Sequence, residues 1–267
     1  MKLLMYAILG IIQGFTEPIP VSSSGHLVIF NSILNVKELN DLNFEIFVNF
    51  GSFIAITFFY RKEILEIIND FFLYIKTKKE KYKSNYKYAW MIVIGTIPAG
   101  IIGLLFKNSI ENFTSVKIVG ISLLITAFML FMIKDFKGNK EKKDMTLKDS
   151  IIIGLFQVIA LFPGISRSGS TLVGGMSRNL TRETAFKYSF MLYIPISIAT
   201  MILGVKDVIS TGITSTLLFP YLLGMIIAGI VTYFSIKWFK KIMEKGKLIY
   251  FVYYCLFAGI ITILFIK

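Results

Sequence analysis

The chain is 267 residues long, 55% of them hydrophobic and 17% charged, with a net charge of +13 and a mean hydropathy of +0.70. A soluble domain carries about 45–50% apolar and about 25% charged residues, so burial in one water-soluble core is excluded and lipid must cover the surplus. No polar stretch is long enough to fold alone, which leaves a single membrane domain over 1–267.

The basic balance does not point to nucleic acid, because the cations sit in short segments between apolar runs, where membrane orientation puts them. The 25 Phe and 13 Tyr suit lipid-facing surfaces and interfacial belts, with Trp90 and Trp238 near span ends as anchors. Cys255 is the one cysteine and lies in an apolar run, so a packed, inert thiol is expected. Met1-Lys2 and the apolar run after it resemble a signal peptide but lack a small-residue cleavage site, so the segment is expected to be retained.

In chain order, residues 3–15 are apolar and then run into Pro18 and Pro20, with a second short apolar piece at 27–34. At 1.5 Å per residue such a helix reaches only about halfway across the roughly 30 Å hydrocarbon core. The pair reads as a re-entrant helix–turn–helix hairpin, whose broken backbone is tolerable only inside protein or beside a wet cavity; a tilted span with a proline kink is the alternative. Three segments of spanning length follow, at 43–60, 88–106 and 116–133. A second short pair, 151–162 and 171–176, precedes three more spans at 185–204, 216–236 and 248–266. The fold class predicted is an all-α polytopic membrane protein.

Of the 29 Lys and Arg, 22 fall in loops 61–87, 134–149 and 237–247 and in segment 177–187, all read as lying on one side. The other side keeps Lys2, Lys37, Lys107, Lys117, Lys206 and Lys267, with Arg167 left inside the second hairpin. This bias places the four segments in the cytoplasm and both termini outside. The hairpins also match each other: "ILGIIQGFTEPIPVSSSG" and "IIGLFQVIALFPGISRSG" align without a gap at an offset of 144 residues. Three spans after each hairpin would turn the second copy upside down, giving an inverted-topology repeat of about 1–134 and 150–267 with a site near the midplane.

Ionisable groups at membrane depth are costly, so each is a candidate for function. The first hairpin carries Glu17, Ser22, Ser23, Ser24 and His26, the only histidine; Gln13 and Glu17 share a helix face. The second carries "PGISRSGST". There Gly169 lets backbone N–H groups approach an anion, Ser166, Ser168 and Thr171 add donors, and Arg167 offers a planar fork for phosphate oxygens. A Ser/Gly helix-packing seam would explain the serines and glycines but does not need a guanidinium. The set suits phosphoryl transfer, which rests on positioning and charge stabilisation. Glu17 either holds Mg²⁺ or Ca²⁺ against the substrate or orients His26. Ser23 and His26 are both candidates for attack, with the other assisting. Glu45 and Asn49 line the cavity or sit at the interface.

"QGFTEPIPVSSSGH" and "PGISRSGST" together resemble the undecaprenyl-diphosphatase family of bacterial membrane proteins linked to bacitracin resistance, over essentially the whole chain. The resemblance implies hydrolysis of undecaprenyl diphosphate to the monophosphate carrier lipid of peptidoglycan synthesis. It also implies a site facing outward from the plasma membrane and dependence on Mg²⁺ or Ca²⁺. Its glutamate motif falls on Gln13 and Glu17, its serine pair on Ser22 and Ser23, its histidine on His26, and its arginine motif on Ser166, Arg167 and Thr171. Gln13 stands where many members have Glu, leaving one carboxylate. A homodimer fits the family and has no signal in the residues. The rival from another class is a lipid-phosphate transporter, since inverted repeats with broken helices are a transporter signature.

Overall fold

A computed structural model describes residues 2–34, 42–212 and 215–266. Its helices, in chain order, are α1 (Lys2–Thr16), α2 (Ser23–Leu34), α3 (Leu42–Phe59), α4 (Arg61–Thr77), α5 (Glu80–Asn112) and α6 (Val116–Ile133). They continue as α7 (Leu147–Ile159), α8 (Arg167–Ser177), α9 (Arg182–Thr211), α10 (Ser215–Glu244) and α11 (Ile249–Phe265), with a 3₁₀ turn at Lys142–Asp144. The chain is an all-α polytopic membrane protein. Lys37 and Lys267, assigned above to the outer side, lie outside the described residues.

Both short pairs form as helix–turn–helix units. Pro18 and Pro20 cannot continue α1, and the turn reverses through Ser22 at φ +68°. In the second unit Gly164 takes φ +85°, a left-handed conformation open to glycine without cost, and its Cα packs against Val119 of α6. Side chains clamp each turn from outside. Ser122 of α6 donates to the Pro163 carbonyl at 2.7 Å, and the Cys255 thiol of α11, fully buried, donates to the Pro20 carbonyl at 3.7 Å.

Among the described residues four helices, within α5, α6, α9 and α10, are long and apolar enough to cross a membrane by themselves. The α3–α4 pair is a fifth candidate, bent by 69° between Phe59 and Arg61. Six spans were expected; α11, at 17 residues, is about 25 Å long and a little short of the hydrocarbon core. The larger correction concerns 61–87, which is not a loop. Leu65, Ile68, Phe72 and Ile75 are exposed along one face of α4, the helical spacing of an amphipathic segment lying in a membrane surface. Its other face turns to α5: Asn85 donates to Asp70 at 2.6 Å, and Tyr86 stacks between Phe71 and Tyr74. Charge density alone had made this stretch look like a loop.

Where helices cross, small residues let the backbones approach. Gly10 of α1 lies against Gly224 of α10, Gly154 of α7 against Gly95 of α5, and Gly120 of α6 against Gly259 of α11. The segments rich in Lys and Arg meet at one end of the bundle. Lys140 pairs with Leu180 in an isolated bridge, Arg182 donates to the Lys134 carbonyl at 3.2 Å and packs against Gly246, and Lys142 reaches Glu63. At that end Asp149, fully buried, joins Thr146 in the capping box of α7 and pairs with Lys140 at 3.1 Å and Arg178 at 2.9 Å.

Candidate active site

A cavity of about 300 Å³ lies between the two hairpin turns and the middle of α3 and α9. Both short helices aim their amino ends at it. Ser23 is the first residue of α2 and Arg167 the first of α8, and the two positions are 144 residues apart, the offset of the sequence match. Ser166 caps α8 by accepting the Gly169 N–H at 3.1 Å. Helix amino ends carry unpaired N–H groups and partial positive charge, so their convergence, with Ser22, Ser23, Ser24, Ser166 and Ser168 lining the wall, favours an anion.

Glu17 and Arg167 meet across this cavity: guanidinium Nη2 donates to carboxylate Oε1. The second carboxylate oxygen accepts from the Ser23 hydroxyl and from Gln13 Nε2, the latter at 2.9 Å. Gln13 also donates to Asn49 Oδ1 at 2.8 Å, which ties α1 to α3. Arg167 lies over the Tyr193 ring, 4.0 Å from its centroid, and approaches Ser197 Oγ at 3.5 Å. The cation is therefore stacked and directed, with room for phosphate oxygens in place of the Glu17 partner.

Of the residues singled out from sequence, Glu17, Ser22, Ser23, Ser24, Ser166, Arg167 and Ser168 line the cavity. Gln13 is fully buried behind Glu17 and orients it. Gly169 and Thr171 lie one turn back in α8, where Thr171 Oγ1 donates to the Arg167 carbonyl at 2.9 Å and bonds Ser189 at 2.5 Å. His26 does not line the cavity. Its Nδ1 contacts the Ser22 carbonyl at 2.7 Å and its Nε2 the Tyr254 hydroxyl at 2.6 Å, with the two rings stacked. The carboxylate, not the imidazole, is thus the basic group beside Ser23.

Tyr193, Ser197 and Tyr254 were missed from sequence. Position 193 lies at the 144-residue offset from Asn49, so extending the hairpin match into the spans would have found it. Ser197 and Tyr254 carry no comparable signal. Among the described residues no three His, Cys, Asp or Glu side chains are placed to hold a metal ion. The oxygen donors lining the cavity do suit a hard cation sharing its shell with a phosphate: one carboxylate and the serine hydroxyls.

Residues 6–261 match the family model described as bacitracin resistance protein BacA. The chain is 45% identical over 265 residues to Undecaprenyl-diphosphatase 2 of Bacillus thuringiensis (strain Al Hakam), covering 99% of this chain and 98% of that relative. It is 43% identical over 265 residues to Undecaprenyl-diphosphatase 1 of Bacillus licheniformis, covering 98% of each chain. Undecaprenyl-diphosphatase of Oceanobacillus iheyensis is 42% identical over 264 residues, covering 98% of this chain and 96% of its own.

Proposed function

As the chain belongs to the bacitracin resistance protein BacA family, we propose that it hydrolyses undecaprenyl diphosphate to undecaprenyl phosphate and inorganic phosphate in the bacterial plasma membrane. One observation carries the mechanism: a serine hydroxyl donating to a carboxylate that itself faces an arginine, at the meeting point of two helix amino ends. Hydrolysis needs all of these parts, whereas a carrier needs only the anion clamp.

The terminal phosphoryl group of the substrate replaces Glu17 as the partner of Arg167 and accepts from the amino ends of α2 and α8. That exchange frees the carboxylate to act as a base. Ser23 Oγ attacks the terminal phosphorus and its proton passes to Glu17; the bond from that phosphorus to the bridging oxygen breaks, and undecaprenyl phosphate leaves. Water then attacks the phosphoserine phosphorus and the bond from phosphorus to Ser23 Oγ breaks; the proton held by Glu17 returns to Oγ, restoring hydroxyl and carboxylate, and the water's protons leave with the inorganic phosphate. His26, held between Ser22 and Tyr254, positions the turn that presents Ser23. Glu17 would hold Mg²⁺ or Ca²⁺ together with substrate oxygens, and the cation when bound would supply charge neutralisation at the diphosphate.

The cavity takes Ile46 and Asn49 from the first half of α3, away from the cation-rich end of the bundle. With that end in the cytoplasm, the site faces outward. The order of a short helix pair followed by three longer apolar helices occurs twice, as α1, α2, α3, α5, α6 and again as α7 to α11, which supports the repeat of about 1–134 and 150–267. The test is release of inorganic phosphate by purified protein from a C15 or C55 prenyl diphosphate, with and without chelator. No release with Mg²⁺ or Ca²⁺ in excess would overturn the proposal.

A further inference from the structure

We propose that the cation-rich end of the bundle carries a second anion site, built to bind a phosphate group either as the free ion or as the headgroup of a phosphorylated lipid. A separate cavity of about 370 Å³ opens there, beneath the bend between α3 and α4. Its size falls within the range of small-ligand pockets.

The charges around it do not balance internally. Glu183 is paired with Lys187 at 2.8 Å and Glu244 faces Lys240 at 3.9 Å, which accounts for both carboxylates in the wall. Lys137 and Arg182 also line the cavity and make no ion pair among the described residues. Arg182 is held in place all the same. Its Nη2 donates to the Lys134 carbonyl, and its guanidinium occupies the space beside Gly246 that any side chain there would fill.

Two buried polar atoms in the same wall are unsatisfied. Among the described residues the Tyr60 hydroxyl has no partner although the residue is only 6% exposed, and Arg182 Nε likewise has none. Buried polar groups are almost always hydrogen-bonded, so two orphans lining one cavity need a missing partner. Each of these groups has a proton to donate, as do the two unpaired cations, and the amino end of α9 enters the wall at Thr181. Such a set is complementary to a species that only accepts, with two or more negative charges. A phosphate group meets that description, with an Arg fork and a Lys as its usual partners.

The cavity is not an extension of the first. Both α3 and α9 run past the two cavities, and from Asn49 to Tyr60 is about 16 Å along α3. Aromatic rings fill the interval. Phe53 packs on Tyr193 with centroids 6.3 Å apart, Tyr60 on Phe190 at 5.6 Å, and Phe190 on Phe186 at 4.9 Å.

Inorganic phosphate and farnesyl monophosphate are titrated separately into purified Arg167→Gln protein, whose first cavity lacks its clamp, at constant ionic strength in detergent. Binding is read by calorimetry and by ³¹P line width. Tyr60→Phe, which removes one hydroxyl and nothing else, should weaken binding roughly 2- to 10-fold, the worth of one hydrogen bond. Lys137→Gln combined with Arg182→Gln should weaken it at least about 10-fold. Binding of inorganic phosphate with these sensitivities assigns the free ion; binding of the farnesyl compound alone with the same sensitivities assigns a lipid headgroup. Absence of binding by both, or affinities that Tyr60→Phe and the double variant leave unchanged, overturns the proposal. If the double variant fails to fold, Tyr60→Phe decides alone, with phosphate release in an Arg167 background as the check on its integrity.

Discussion

Glu17→Gln separates the carboxylate from the imidazole as the group that takes the Ser23 proton. The substitution keeps the shape of a side chain that is 4% exposed and receives Arg167, Ser23 and Gln13. An amide oxygen can still accept from Arg167, but the new amide nitrogen must face Gln13 Nε2 or the Ser23 hydroxyl, both of which donate to the native carboxylate. Gln13 cannot turn away freely, because the same nitrogen is bonded to Asn49 at 2.8 Å. The variant therefore loses its proton acceptor and gains a donor–donor conflict beside the nucleophile. General-base loss costs about 10²- to 10⁴-fold in rate, or about 3–5 kcal/mol of barrier at about 1.4 kcal/mol per decade. The Tyr193 stack holds Arg167 in place, so with Mg²⁺ or Ca²⁺ in excess substrate affinity should fall less than turnover. Single-turnover phosphate release gives the chemical step, and His26→Ala run beside it should lose less, since the imidazole touches Ser22 and Tyr254 rather than the cavity. Turnover within about tenfold of the parent in Glu17→Gln, together with complete loss in His26→Ala, would refute the carboxylate as base and return that role to the histidine.

Arg167→Lys keeps the charge but loses the fork and the Tyr193 stack, and phosphate release should drop at least about 10²-fold. Asp149→Asn leaves Lys140 and Arg178, which are partly exposed, without their buried counter-charge at the start of α7; loss of such charge-assisted hydrogen bonds costs about 1.5–3 kcal/mol, read as a lowered Tm in detergent with phosphate release per folded molecule retained. In a Cys255→Ser background, Lys79→Cys and Lys143→Cys, both exposed at the cation-rich end, should resist an impermeant thiol reagent in intact cells while Thr114→Cys reacts. The reverse labelling pattern would invert the orientation and the outward-facing site with it.

How much of this was legible beforehand follows from which interactions are local. Hydropathy alone located α1, α2, α7 and α8 to within a few residues, because proline, glycine and serine end an apolar run wherever the chain goes next. The concentration of polar and ionisable side chains in the two hairpins was equally readable, since an arginine and a carboxylate stand out in apolar surroundings. The amphipathic α4 is hidden in a hydropathy average because its apolar residues are diluted by Lys, Glu and Asp to a loop-like mean, and only their spacing of three and four residues carries the helix.

The tertiary structure alone decided which side chains share the cavity. Glu17 and Arg167 are 150 residues apart, and only the packing of α1 on α10, α7 on α5 and both turns on α6 and α11 brings them together. It likewise turned His26 towards Tyr254, 228 residues away, and left Ser23 with Glu17 instead. A helix three residues from nucleophile to imidazole puts both on one face, but which of them meets the cavity depends on how the short helix rotates against its neighbours. That rotation is set by packing on α1 and α6 and by the His26–Tyr254 contact with α11, and no local pattern in residues 17–34 encodes it.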